Sequence, residues 1–256
     1  HPNSMRQSVR EVRYYVPLNQ SYEVWNLSVT NASPKERELS IIGYAEFTNN
    51  SNYEQDQVNL QYSQFITRTV FKENRVRQMI HANLDRLEAG EEVDNKNVED
   101  RFFGLAGSKV DSWCGEKEGF LGRYHGYHNP LGVVKGKLNN KGNYNENACG
   151  ALCTVLKLAP GETKELAFLV GMKSDKIADK ILRHYEDCEA VCKAELEELI
   201  TYWHGQLSHF QVKTPNEAFN TMINTWNAYN CFMTFIWSRA ASFTYCGLRN
   251  GYGYRD

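Results

Sequence analysis

Residues 239–256 contain the side chains best suited to binding a polar ligand. Three arginines and one aspartate stand there among glycines and tyrosines: Arg239, Arg249, Arg255 and Asp256. A guanidinium donates to several hydroxyls through a rigid fork, and a carboxylate accepts from two. Aromatic rings can cover the C–H faces of a sugar. The segment therefore predicts a sugar-binding site, and because the sequence stops within it, we expect the chain to be a fragment of a longer protein.

Parts of this segment also fit simpler roles. An Arg-Asp pair is more often structural than ligand-binding, but the neighbouring arginines favour binding here. Gly251 and Gly253 resemble a nucleotide-binding loop only in part, because no third glycine and no preceding parallel strand accompany them.

No metal site is predicted. The chain has 7 cysteines, an odd number that favours free thiols in a reducing cytoplasm over a disulfide framework. Two cysteine pairs have i, i+4 spacing, at 149/153 and 188/192, whereas zinc sites usually use tighter C-x-x-C pairs. His125 and His128 stand three apart in a glycine-rich stretch, where hydrogen bonding within the loop is the simpler role.

Composition excludes several classes. The 256 residues carry a formal net charge of −2, so no nucleic-acid or anionic-membrane partner is expected. Neither an apolar run of membrane-spanning length nor a signal peptide is visible, and we expect a cytoplasmic protein. The glycosylation sequons at Asn26, Asn31 and Asn49 then indicate ordinary loop asparagines.

The patterning predicts two kinds of structure. Short alternating strands separated by turns, as at 24–30, 39–47, 154–158 and 166–170, favour an antiparallel all-β sandwich over residues 1–172 that lacks its N-terminal part. Two segments, 49–64 and 104–150, break this pattern and are expected to be long loops.

From residue 173 the apolar period becomes helical, which predicts a helical linker over 173–212. Thr214 as N-cap, Pro215 in the first position and Glu217 completing a capping box then start a further helix. Its apolar face includes Phe219 and Trp226. We expect Trp203, Trp226 and Trp237 in a core, and the acidic residues 186–189 and 195–198 on a solvated helix face.

The segment after Thr214 resembles a known family. Trp226-Asn227 with Tyr229 and Cys231, the series Ser238-Arg239-Ala240-Ala241-Ser242, and the glycines and arginines up to Asp256 are similar to glycoside hydrolase family 94, the cellobiose, laminaribiose and chitobiose phosphorylases. The detailed similarity covers about the last forty residues. It implies that residues 213–256 contain the first helix of a truncated (α/α)-barrel catalytic domain.

The resemblance also implies roles for the four residues of the predicted site. Arg255 and Asp256 would hold hydroxyls of the donor sugar, with Arg249 beside them and Arg239 near the junction with the acceptor. It places the catalytic acid and the phosphate ligands beyond Asp256, so no catalytic residue is expected in this chain.

The implied activity is inverting phosphorolysis of a β-linked glucose disaccharide, of cellobiose or laminaribiose type, to α-glucose 1-phosphate and a free sugar. Inorganic phosphate is the co-substrate, no metal or organic cofactor is needed, and the expected assembly is a homodimer in which segment 49–64 has a role. Two alternatives stay open: a non-catalytic β-sandwich carbohydrate-binding module, and an inverting glycoside hydrolase. The linkage and the acceptor also stay open, and the sugar partner is a β-linked glucose disaccharide or a short oligosaccharide such as a longer cellodextrin.

Overall fold

The computed structural model describes residues 8–48, 58, 60–80, 100–233, 239–240 and 250–251. The chain divides into two compact units, His1–Leu196 and Glu197–Asp256, and each is described by itself.

The first unit is built on a six-stranded antiparallel sheet. Its strands follow one another in space as β1 (Ser8–Tyr15), β2 (Tyr22–Asn31), β9 (Thr163–Lys173), β6 (Asp100–Ala106), β5 (Arg75–Ile80) and β4 (Thr67–Lys72). Strand β9 lies between β2 and β6, where Leu166, Ala167 and Leu169 are buried. Its run of apolar residues reflects burial on both faces.

A three-stranded antiparallel sheet packs on one face of the larger sheet. It consists of β3 (Arg37–Glu46), β8 (Ala148–Leu158) and β7 (Ser112–Glu116). Their shared core is apolar and draws on both sheets: Leu27, Val29, Val76, Phe103, Leu105, Leu152, Leu156, Leu158, Leu166 and Phe168. The antiparallel β-sandwich predicted from the strand spacing is confirmed.

Two helices cover the other face of the six-stranded sheet. They are α4 (Asp175–His184) and the N-terminal part of α5 (Cys188–Leu207). Their apolar residues join those of the sheet in a second core, which contains Val24, Phe102, Leu169, Ala178, Ile181, Leu182, Tyr185, Cys188 and Cys192. The division into 1–172, 173–212 and 213–256 stays a prediction.

The segment 104–150 is not the long loop that its glycines and asparagines predict. It contains the end of β6, all of β7, the start of β8 and two short helices, α2 (Lys117–Leu121) and α3 (Leu131–Lys135). Its few apolar residues Phe120, Leu121 and Leu138 are buried against β7 and β8. Segment 49–64 is not a loop throughout, because helix α1 (Leu60–Ile66) begins within it. Residues 49–57 and 59 lie outside the described residues.

In the described part of the second unit, an interrupted helix follows α5. Helix α6 (Glu217–Thr221) runs into a π-helical stretch (Met222–Asn227) and then α7 (Ala228–Met233). The predicted N-cap is wrong by two residues, since Asn216 caps this helix and its side chain accepts from the Phe219 amide. Whether this helix begins an (α/α) barrel stays a prediction.

Two tryptophans expected in a core are exposed within this unit. Trp203 is 41% exposed and Trp226 is 56% exposed, because the helix surfaces that carry them are only partly covered. Trp237 lies outside the described residues. Within the described ranges, no helix has both the length and the apolar character needed to cross a bilayer.

Candidate functional site

The structure places one of the four predicted sugar-binding residues. Arg239 begins strand β10 (Arg239–Ala240), which pairs in parallel with β11 (Asn250–Gly251). The backbone of Arg239 lies opposite that of Asn250, the residue directly after Arg249. Arg249, Arg255 and Asp256 themselves lie outside the described residues. The binding role of all four residues therefore stays a prediction.

Two asparagines bond to the backbone just before the helix that precedes this segment. The Asn220 side chain accepts from the Thr214 amide at 2.8 Å and donates to the Thr214 carbonyl at 2.9 Å. Asn224 forms the same two bonds with Val212, at 2.8 and 2.9 Å. Each asparagine side chain thus pairs with both the N–H and the C=O of one residue, as a neighbouring backbone segment would. Sequence reasoning missed these residues, although their i, i+4 spacing puts them on one helix face.

One cavity of the second unit is apolar. A space of about 500 Å³ is lined mainly by aromatic and aliphatic residues: Tyr202, Trp203, Gln206, Leu207, Thr225, Ala228, Tyr229, Phe232 and Met233. The Trp203 and Phe232 rings meet edge to face with centroids 5.4 Å apart. Such a lining buries apolar surface but offers few groups that could orient sugar hydroxyls.

A polar cleft of about 580 Å³ lies in the first unit. It includes four charged side chains among its lining: Glu73, Asp179, Arg183 and Glu186. Beside them Arg75 is fully buried, and its guanidinium reaches Asp175 at 2.5 Å, Glu73 at 3.5 Å and Asp179 at 3.6 Å. Two carboxylates of the cleft therefore neutralise a buried cation. This cluster joins β5 to α4, which makes it structural rather than a ready binding site.

The electrostatics of Asp175 follow from this cluster. Burial alone would raise its pKa, but hydrogen bonds from Lys72 and Arg75, together with the charge of Arg77, outweigh burial and hold the pKa at about 2. Lys72 Nζ lies 2.7 Å from Asp175 Oδ2, and Arg77 Nη1 lies 3.2 Å from Oδ1. Asp175 is therefore ionised wherever the protein functions near neutral pH.

A second buried cluster surrounds Glu195, which the sequence assigned to a solvated face. The Tyr15 hydroxyl donates to its carboxylate at 2.8 Å and the Tyr185 hydroxyl at 2.7 Å, and the Glu195 side chain is only 14% exposed. Burial raises the pKa of both tyrosines, so both hydroxyls stay protonated donors. The assignment fails because α5 lies on the sheet and turns this carboxylate towards β1.

A third cluster lies at the surface, at the end of β3. Glu46 accepts from the Tyr44 hydroxyl at 2.8 Å, from Lys117 Nζ at 3.0 Å, and from the Tyr127 hydroxyl. Burial opposes ionisation of Glu46, but hydrogen bonds from Tyr127, Tyr44 and Lys117 outweigh it and lower the pKa of this carboxyl. Unlike the two buried clusters, this one leaves aromatic and charged atoms open to solvent.

Most of the described cysteines are buried, and His125 is bonded within its own loop. Five of the six described cysteines are buried free thiols, and Cys231 is exposed. Burial raises the pKa of Cys188 and of Cys192 to about 11, so both stay protonated. In the part of the chain that is described, no group of three or more His, Cys, Asp or Glu side chains is arranged to hold a metal ion. His125 Nδ1 lies 2.8 Å from the Asn129 carbonyl, within its own loop.

Two of the sequon asparagines belong to strand β2 rather than to loops, contrary to the prediction. Asn26 and Asn31 are buried, and their amide nitrogens donate to Glu165 at 2.9 Å and to the Leu158 carbonyl at 2.8 Å. Neither nitrogen is placed to carry a glycan. Asn49 lies outside the described residues.

Comparison with known proteins assigns both units to one family. A model of the glycosyl hydrolase 94 supersandwich domain matches residues 6–188, and a model of the glycosyl hydrolase 94 superfamily catalytic domain matches residues 202–256. These two matches extend the similarity from the last forty residues to nearly the whole chain.

Two curated relatives are phosphorylases. An N,N'-diacetylchitobiose phosphorylase from Vibrio proteolyticus is 31% identical over 243 residues, which is 94% of this chain and 28% of that protein. A 3-O-β-D-glucopyranosyl-β-D-glucuronide phosphorylase from Paenibacillus borealis is 27% identical over 244 residues, 93% of this chain and 29% of that protein. The chain thus spans less than a third of the length of these relatives.

Among solved structures, a polysaccharide lyase matches with a TM-score of 0.37 and 14% identity, over 70% of this chain and 22% of that one. A match with so low a TM-score is too weak to indicate a shared fold.

Proposed function

This chain belongs to glycoside hydrolase family 94, and we propose that the protein that carries it is a glycoside phosphorylase. The observation that supports this is the match of the family's supersandwich and catalytic models to residues 6–188 and 202–256. The proposed reaction is inverting phosphorolysis of a β-linked disaccharide. Arg255 and Asp256 would bind hydroxyls of the donor sugar and hold its ring for attack, with Arg249 beside them and Arg239 near the junction with the acceptor.

The chemistry needs one protein acid and one phosphate. A phosphate oxygen bonds to C1 of the donor sugar as the bond from C1 to the bridging oxygen breaks, and the acid gives its proton to that oxygen. Inversion at C1 converts a β-glycoside into an α-sugar 1-phosphate. An inverting hydrolase needs a second carboxylate to activate water, but phosphate is itself the nucleophile, so neither that carboxylate nor a cofactor is required. We place the acid and the phosphate ligands beyond Asp256.

Two donor sugars are candidates. The residues after Thr214 suggest a glucose disaccharide of cellobiose or laminaribiose type, which would give α-glucose 1-phosphate. The Vibrio proteolyticus relative, at 31% identity, is named for N,N'-diacetylchitobiose, and the same chemistry on that sugar would give α-N-acetylglucosamine 1-phosphate. We include the acetylated disaccharide as the second candidate on that ground. We further propose a cytoplasmic homodimer.

The test uses the protein in its full length. It is incubated with cellobiose, laminaribiose or N,N'-diacetylchitobiose, with and without inorganic phosphate, and phosphorus NMR measures the sugar 1-phosphate. We expect phosphate-dependent release of an α-anomer from one of the three sugars, and that sugar identifies the donor.

Two outcomes would contradict the proposal, and each supports one alternative. Cleavage at the same rate without phosphate would indicate a glycoside hydrolase. Binding of a disaccharide without cleavage, in the presence of phosphate, would indicate a carbohydrate-binding module.

A further inference from the structure

Two consecutive turns carry exposed tyrosines on the first unit. The His125 amide donates to the Gly122 carbonyl at 3.1 Å, and the Asn129 amide donates to the Gly126 carbonyl at 3.0 Å. Residues 122–129 therefore form two four-residue turns in succession, which we call the tyrosine turns. Tyr124 lies in the first turn and Tyr127 in the second.

Tyr124 occupies a conformation that packing does not explain. Its φ is +67°, in the left-handed region that bulky residues rarely adopt, and the residue is 98% exposed. A glycine or an asparagine would fit this backbone with less strain. A strained aromatic residue that adds almost nothing to the core points to a role outside folding.

Tyr127 is exposed but held in place. Its hydroxyl donates to Glu46, and Lys117 Nζ lies over one face of its ring, 5.2 Å from the centroid. Lys117 also contacts Glu46 at 3.0 Å, so the three side chains brace one another. The residue nevertheless stays 61% exposed. A ring already fixed in this way loses little conformational entropy when a ligand covers its face.

The groups around the Tyr127 ring match the chemistry of a sugar. Glu46 is 40% exposed at its side chain and supplies an ionised acceptor, while Lys117, at 23%, supplies a donor. An apolar ring face beside a fixed acceptor and donor suits a pyranose, which has a C–H face and a rim of hydroxyls. A protein partner would need a wider apolar centre than two tyrosine rings amid charged groups.

We propose that the tyrosine turns, with Glu46 and Lys117, form a carbohydrate-binding surface on the sandwich. It binds a β-linked oligosaccharide through stacking on Tyr127 and contact with Tyr124, while the Glu46 carboxylate and the Lys117 ammonium hydrogen-bond the hydroxyls. The inference goes beyond the proposed phosphorolysis, since it concerns binding that requires no phosphate.

The test measures binding without phosphate. The 256-residue chain and its variants are titrated with cellohexaose and with the chitin hexasaccharide by ligand-observed NMR. We expect Tyr127→Ala to weaken binding at least about fivefold and Tyr124→Asn to weaken it about threefold. Tyr127→Phe keeps the ring and should retain most of the affinity. Tyr14→Ala is the matched control, because Tyr14 is 63% exposed on strand β1 of the six-stranded sheet.

A second measurement locates the bound sugar. A hexasaccharide carrying a diazirine is photo-crosslinked to the chain, which is then digested with trypsin. Cleavage after Arg123 and Lys135 isolates peptide 124–135, which contains both tyrosines of the turns. We expect the label on this peptide, and we expect Tyr127→Ala to remove it.

Three outcomes would overturn the proposal. The first is no saturable binding of either hexasaccharide by the unmodified chain. The second is a label confined to other peptides. The third is a Tyr127→Ala variant that changes the oligomeric state and leaves sugar binding intact, which would make the turns a protein interface. Failure of phosphorolysis in the full-length protein would leave this binding result unaffected, so the two proposals fail separately.

Discussion

Single residues of the sandwich show how charge is accommodated in a core. Arg75 is fully buried, and its charge is balanced by carboxylates that helix α4 supplies, chiefly Asp175 at 2.5 Å. A buried cation that loses its partner costs far more than an exposed ion pair contributes. The ion pair between Arg75 and Asp175 therefore joins strand β5 to helix α4. Such a pair adds little net stability, but removing one of its partners is strongly destabilising.

We predict that Asp175→Asn destabilises the first unit by about 3 kcal/mol near neutral pH, because it leaves Arg75 short of its nearest counter-charge. Urea unfolding followed by tryptophan fluorescence measures the effect. Glu38→Gln is the control, since Glu38 and Lys157 are 61% and 71% exposed and 3.7 Å apart, and it should change stability by less than about 0.5 kcal/mol. An equal loss in both variants would mean that Arg75 does not depend on Asp175.

The same carboxyl makes stability depend on pH. Its pKa of about 2 in the fold lies below the ordinary value of 3.8, so its stabilising contribution is complete above about pH 4 and is lost as the pH falls towards 2. The difference corresponds to about 2 kcal/mol. We expect the gap in unfolding free energy between the unmodified chain and Asp175→Asn to shrink by about that amount from pH 5 to pH 2. A gap that stays constant would contradict the depressed pKa.

Tyr124 leads to the opposite kind of prediction, a stabilising substitution. Asparagine tolerates the left-handed backbone better than tyrosine, and Tyr124, which is 98% exposed, adds almost no packing. We expect Tyr124→Asn to raise the free energy of unfolding by about 0.5 kcal/mol, measured by urea unfolding. A loss above about 1 kcal/mol would show that the ring packs in the fold, and weaker sugar binding by this variant would then lose its meaning.

At the scale of elements, the sequence predicts best where burial is periodic. The strands around Val24 and Leu166 and the helices after residue 173 follow from their apolar spacing. Strand β7 escapes prediction because it is short and stands among glycines and asparagines, while its burial depends on β8 from about thirty residues later. The helix start shows the same limit: Thr214 satisfies a local capping pattern, but its amide and hydroxyl bond to Asn220, and Asn216 takes the cap.

The corrected cap gives a direct prediction. The Asn216 side chain accepts from the Phe219 amide at 3.1 Å, so Asn216→Ala should destabilise the helix start by about 1 kcal/mol. Amide hydrogen exchange at Phe219 should then accelerate about fivefold, whereas Asn216→Asp, which keeps an acceptor, should exchange at nearly the original rate. Unchanged protection of the Phe219 amide in Asn216→Ala would contradict this assignment.

At the scale of the whole molecule, the sequence predicts the family more completely than it predicts the site. The spacing of Ser238, Arg239 and the following glycines and arginines is enough to suggest the family, because these residues are close together in the sequence and their pattern can be recognised without the fold. The clusters around Arg75, Glu195 and Glu46 each join residues far apart in sequence. No local pattern marks them, which is why all three emerge only from the fold.

The predicted grip on the donor sugar is tested in the full-length protein. If the Asp256 carboxylate accepts from donor hydroxyls, Asp256→Asn leaves a hydroxyl poorly paired, and kcat/KM for release of sugar 1-phosphate should fall ten- to a hundredfold, or about 1–3 kcal/mol. Arg255→Lys keeps the charge but removes the fork, and should also lower kcat/KM. Lys157→Ala is the control, because Lys157 is 71% exposed on the sandwich. If phosphorolysis persists at the normal rate in Asp256→Asn, the reaction stands but the donor subsite must be built from other residues.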